Sequence, residues 1–176
     1  MTELEKRQQL DDGLGEADFN NKLFRIASPE DYISDYVVDG ETGDPCNDAI
    51  WKRNGKIENR FHVMIQSFDL CGDDFVDMVL TEQNECELAS YQDYCTYEYV
   101  TSEVVQNWLD IDVLNLEQPW YNQLSNDSSK IMSVLYPLCS DLSISTLTYT
   151  YALYANPTLL EAYGYSSSVL YEWVVP

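Results

Sequence analysis

Between Asp69 and Glu117 the chain carries thirteen acidic side chains and not one Lys or Arg. They are Asp69, Asp73, Asp74, Asp77, Glu82, Glu85, Glu87, Asp93, Glu98, Glu103, Asp110, Asp112 and Glu117, with Phe75, Tyr91, Tyr94, Tyr97, Tyr99 and Trp108 threaded among them. Unscreened like charges repel and cost stability, so a folded surface ordinarily mixes the two signs. This stretch forgoes that advantage, which makes its negative surface the candidate working part.

The remaining charge sharpens the contrast. Residues 1–60 hold eight cations against fourteen acids, a balance of −6. Residues 61–176 hold Lys130 alone against seventeen acids, a balance of −16. A halophile's acidity would be spread evenly, whereas here the cations are gathered at one end. The overall charge of −22 argues against nucleic acid or an anionic membrane as a direct ligand, since both would be repelled.

Length and composition set the scale. With 176 residues, 45% of them hydrophobic and 13% aromatic, the chain has material for one packed core. The division expected is a polar tail or short helix over residues 1–20 and a single domain over 21–176. Five cysteines without a C-x-x-C, beside one histidine, do not fit a structural zinc site. They suit reduced thiols in the cytoplasm. The N-terminus has no apolar signal region, and no run approaches the roughly 18 apolar residues of a membrane span.

Both periodicities occur. Ser28-Pro29-Glu30-Asp31 predicts a helix start, followed by Tyr32, Ile33, Tyr36 and Val37 on one face and a stop at Asp39-Gly40. Asn54-Gly55 reads as a tight turn within Trp51–Arg60, whose cations Lys52, Arg53, Lys56 and Arg60 are expected to pair with the chain's own acids. Arg60–Phe68 alternates as a strand. Gly72-Asp73 opens a helix of about ten residues, with Phe75/Val79 and Val76/Leu80 as its apolar stripe and Asp73, Asp77 and Glu85 along a second stripe. Ser90–Val100 reads as a strand, Thr101–Leu109 as a helix, and residues 145–153 and 169–175 as further strands. Asn156-Pro157 caps a short helix closed by Gly164. The fold class expected is α+β: a single compact domain with a mostly antiparallel sheet and several short helices.

No catalytic signature is present. The phosphate-loop, dinucleotide, nucleophile-elbow and H-E-x-x-H patterns are missing, and a lone His62 has no partner at a recognisable spacing. The run Asp69–Asp77 lacks the register of a calcium loop, and no lysine stands near it as a two-metal nuclease would want. The expectation is therefore no enzyme, no metal and no cofactor.

What the segment does offer is electrostatic. Carboxylates on a rigid scaffold can occupy the positions of phosphates in another protein's basic groove and make charge-assisted hydrogen bonds there. In composition and charge layout the chain resembles DNA-mimic proteins, small acidic cytosolic inhibitors, many of them phage-encoded against restriction or CRISPR systems. The resemblance implies an inhibitor of a basic nucleic-acid-binding protein. The partner-binding residues expected are the thirteen acids above with Tyr94 and Tyr97 as anchors, and a homodimer is compatible. The alternative from the same physics is an immunity or adaptor protein that binds a basic toxin or assembly partner.

Overall fold

The computed structural model describes residues 2–7, 9–83, 85–145, 155–166 and 168–169. They belong to two compact units, residues 1–146 and 147–176. The frame of the first unit is a three-stranded sheet ordered β2-β1-β3, with β1 at Lys22–Ser28, β2 at Val63–Asp69 and β3 at Leu88–Ala89. Both pairings are parallel, and β1 matches β2 along its whole length, from Lys22↔Val63 to Ser28↔Asp69. This overturns the mostly antiparallel sheet expected from sequence; the α+β class stands. Parallel neighbours cannot be joined by a hairpin and need a long crossover, usually helical. Two stretches that sequence assigned to a tight turn and a strand are in fact helical.

The first is α3, Pro45–Phe61, which follows α1 (Glu3–Arg7) and α2 (Ile33–Tyr36). Asp44 caps it, accepting hydrogen bonds from the Cys46 and Asn47 amides at 2.9 Å each, and Pro45 occupies the first turn. Propagation from this strong start carries the helix through Asn54-Gly55, where a glycine costs about 1 kcal/mol relative to alanine. Asn54 repays the mismatch by burying its amide and donating to the Tyr36 carbonyl at 2.7 Å. The helix start expected at Ser28 shifts: Ser28 is a fully buried strand residue, and a 3-10 turn at Glu30–Tyr32 leads into α2, which ends at Tyr36. α2 and α3 together carry the chain from β1 to β2.

The second is Ser90–Val100. It forms a 3-10 turn at Asp93–Cys95 and then α5, Thr96–Thr101. Alternation would put Tyr97 and Tyr99 on one face, but Tyr97 is 80% exposed and Tyr99 1%. Tyr99 is the hub of the core. Its ring centroid lies 4.9 Å from that of Phe75 and 4.9 Å from that of Tyr91, and its hydroxyl accepts a hydrogen bond from the Gly72 amide at 2.8 Å. Phe75, Val76, Met78 and Val104 complete the buried cluster.

α4, Gly72–Leu80, forms as expected and links β2 to β3. Phe75, Val76 and Met78 are buried while Leu80 is 61% exposed, so the apolar stripe is one residue narrower than the sequence suggested. Glu85 lies beyond the helix and leaves the Asp73/Asp77 stripe.

The described residues of the first unit after Thr101 are mostly turns, with a 3-10 turn at Trp108–Asp110 in place of the helix expected to Leu109. Asp110 and Asp112 therefore do not sit at an α-helix end. After α6 (Gln123–Ser128), residues 139–145 are stitched to the first half of the unit. Asn126 bonds both backbone groups of Cys139, Arg53 donates to the Leu142 carbonyl at 3.0 Å, and buried Asp35 accepts from the Ser143 hydroxyl and from the Ser145 amide.

In the second unit, Asn156 caps α7, Pro157–Ala162, which closes at Gly164 as expected. The strands expected over residues 145–153 and 169–175 lie almost wholly outside the described residues. No helix among the described residues is long and apolar enough to cross a membrane.

Candidate functional site: the acidic face of α4 and α5

Because α4 and α5 bury one side each in the Tyr99 cluster, their other sides are held outward. Asp73, Asp74 and Asp77 project from α4 and are exposed. Asp69 ends β2, one residue before Leu70, whose amide is bonded to the Ser28 carbonyl at 3.1 Å. Asp69 and Asp74 both act on the Cys71 thiol, which burial and then these two carboxylates push above its ordinary value. Across from α4, Glu98 of α5 comes within hydrogen-bonding reach of Asp73. That contact, followed by burial, raises the Glu98 carboxyl above its usual range. Two acids 25 positions apart in sequence thus stand side by side, and among the described residues no Lys or Arg forms an ion pair with either.

A shallow groove of about 400 Å³ continues this face, lined by Asp74, Asp77 and Glu85 together with Leu70, Met78, Thr81 and Gln83. Among the described residues, no group of three or more acidic, His or Cys side chains is placed to hold a metal ion.

The other acids of the stretch have different surroundings. Glu87 faces β1, with Oε1 3.2 Å from Arg25 Nη2 and 3.9 Å from Lys22 Nζ. Burial would raise its pKa, but the bonds to Arg25 outweigh that and hold the carboxyl below its ordinary value. Glu87 is thereby a fastening for β3, its own amide donating to the Arg25 carbonyl at 2.9 Å. Glu82 and Glu103 follow α4 and α5, and both have a left-handed backbone, φ 58° and 57°. Asp93 lies in the turn before α5. Asp110, Asp112 and Glu117 are exposed in the turn-rich segment, with no ion pair or side-chain hydrogen bond to the α4–α5 face among the described residues.

Tyr94 and Tyr97 are 74% and 80% exposed. Tyr94 is nonetheless held: its hydroxyl donates to Gln92 Oε1, and Gln92 Nε2 donates to the Tyr32 hydroxyl at 2.9 Å. Burial, and then the neighbouring Cys95 and Cys71 thiols, push the Tyr94 phenol above the ordinary value.

The cations of the first unit are largely occupied elsewhere. Lys52 pairs with Glu41 at 2.8 Å, Arg60 with Asp12, Arg7 with Asp141, and Lys130 with Asp127 at 2.7 Å. Arg53, half-buried, donates to the Leu142, Asp35 and Tyr36 carbonyls. None of them folds over the α4–α5 face. His62 caps α3 in a left-handed conformation with Nδ1 3.0 Å from Asp18 Oδ2, beside an open depression of about 670 Å³ that also touches Arg60. That lining has no Ser, Thr or Cys to act as a nucleophile, and the Asn21 and Phe19 amides donate to the His62 and Phe61 carbonyls. The pair closes the end of a helix.

The Asp73–Glu98 approach had no signal in sequence, because no local periodicity relates residues on separate helices. No protein-family model matches the chain, and neither the curated proteins nor the solved structures contain a significant match.

Proposed function

We propose that the protein is an acidic inhibitor that binds a basic nucleic-acid-binding protein and fills its phosphate-binding groove with carboxylates. The observation that carries this reading is the Asp73–Glu98 pair, Asp73 exposed and Glu98 half-buried, on a face otherwise lined by Asp69, Asp74 and Asp77 and, among the described residues, without an ion-paired cation. Holding two carboxyls together costs free energy, and a fold gains nothing from it when a lysine would relieve it. A partner rich in Lys and Arg recovers that cost on binding. The rigid backing of Tyr99 and Phe75 keeps the face from rearranging, so little ordering entropy is lost in the complex.

The test uses the protein immobilised at low salt and a heparin-purified fraction of nucleic-acid-binding proteins from its host. Retained protein should elute with duplex DNA as well as with NaCl. A column carrying Asp73→Lys with Asp77→Lys should retain nothing while its circular dichroism matches the parent. Equal retention by the variant overturns the reading. Retention that NaCl releases and DNA does not favours an immunity or adaptor role.

A further inference from the structure

We infer that the Tyr94 and Tyr97 rings form a platform for guanidinium groups, so that the segment recognised on the partner is rich in arginine rather than lysine. The inference rests on the proposed function and names the chemistry of the partner at that face. Tyr94 and Tyr97 are three residues apart on consecutive helical turns, and so on neighbouring positions of one side. Both rings are exposed, at 74% and 80%, where an ordinary fold would bury such area or leave it mobile. Tyr94 is fixed instead by the relay through Gln92 to Tyr32. An exposed ring held in place by hydrogen bonds is already ordered for a planar ligand and loses little freedom on binding one.

The surrounding charge selects a cation. Glu98 is one turn from Tyr94 and next to Tyr97, and it meets Asp73 across the helix pair. A guanidinium can lie flat on a phenol face while its edge donates two parallel bonds to a carboxylate; an ammonium is a point charge, more strongly hydrated, and does only one of these at a time. Flat aromatic surface beside paired carboxyls therefore discriminates between the two cations that dominate nucleic-acid grooves.

The experiment measures binding of deca-arginine and deca-lysine peptides to the full chain at fixed ionic strength. The parent should prefer the arginine peptide by roughly tenfold. Tyr94→Ala with Tyr97→Ala should bring the preference down to about twofold, the residue left to carboxylate geometry, while the salt dependence of both peptides stays unchanged. Tyr97→Phe, which keeps the ring, should keep the preference. An alanine variant with its arginine preference intact overturns the inference, as does a parent that binds both peptides equally; in either case the acidic inhibitor reading still stands. If neither peptide binds the parent, both readings fall. If Asp73→Lys with Asp77→Lys binds both peptides like the parent, the carboxylate reading falls alone.

Discussion

The hydroxyl of Tyr99 accepts the Gly72 amide from a side chain 1% exposed. Gly72 opens α4 with φ 58°, so this one bond ties the start of the acidic helix to the centre of the core. Tyr99→Phe keeps the ring contacts and strands a partly buried amide, which should cost about 1–2 kcal/mol in a urea titration. An unchanged midpoint would show that water satisfies the Gly72 amide instead. Burial pushes the Tyr99 phenol up to about 12, so it remains neutral at any ordinary working pH. Its neighbour in sequence, Glu98, sets a pH dependence at lower pH. Its carboxyl is raised by Asp73, so its favourable contribution is complete below the ordinary value of 4.5 and is lost as pH climbs through the raised value. Asp12, held below 3.8 by its bond to Arg60, contributes above 3.8 and loses its contribution as pH falls further. The urea midpoint should therefore rise as pH is lowered from neutral towards 4.5 and drop below 3.8. Glu98→Gln should remove part of the rise, and a midpoint that rises identically in that variant would mean the Asp73 contact contributes nothing.

α4, α5 and α7 all stop in the same way. The amide two residues past the cap reaches back to the third-last carbonyl: Gln83 to Met78 at 3.0 Å, Val104 to Tyr99 at 3.1 Å and Tyr165 to Leu160 at 2.9 Å. The motif needs one residue with positive φ. In α7 that residue is Gly164, the usual choice; in α4 and α5 it is Glu82 and Glu103. A Cβ in the left-handed region costs about 1–2 kcal/mol, and a carboxylate at the negative end of a helix adds a few tenths. Glu82→Gly and Glu103→Gly should each raise stability by roughly 0.5–1 kcal/mol after the flexibility of glycine in the unfolded chain is discounted. Calorimetry measures this directly, and a loss of stability would mean that those glutamates make contacts that outweigh their strain. The same two helices show what sequence could and could not reveal. α4 was legible because Gly72-Asp73 starts it and Phe75, Val76 and Val79 keep its period. α5 was not, because Tyr, Thr and Val favour strands and the residue that decided the matter, Tyr99, had to find Phe75 from 24 positions away. α3 was hidden by Asn54-Gly55, a turn signal overridden by the Asp44-Pro45 start. The carboxylates of the candidate site could be counted in sequence, but the meeting of Asp73 with Glu98 depended on the packing of those helices.

For the whole molecule, the excess of 22 negative charges is a standing load on the folded state. Raising NaCl from about 10 mM to about 300 mM shortens the Debye length from roughly 30 Å to under 6 Å and should lighten that load. The melting temperature is expected to climb by roughly 3–6 °C over that range. A falling melting temperature would mean that pairs such as Lys52–Glu41 and Arg60–Asp12 matter more than the repulsion. The expectation that the cations on α3 pair with the chain's own acids holds for Lys52 with Glu41 and Arg60 with Asp12, whereas Arg53 is engaged by backbone carbonyls instead. The strand order was the least legible feature, since parallel pairing is set by the crossovers and not by any strand's own pattern.

Placing the first-made strand in the middle of the sheet has a consequence during synthesis. β1 leaves the ribosome some forty residues ahead of its first neighbour, β2, and its second flank stays bare until β3 is made. A nascent or truncated chain ending before Leu88 would carry an uncovered strand edge around Ile26 and Ala27, a surface prone to irregular pairing with other chains. The acids of α4, already translated by then, would keep such fragments apart, so the same charge that burdens the finished protein would guard it while it is being made.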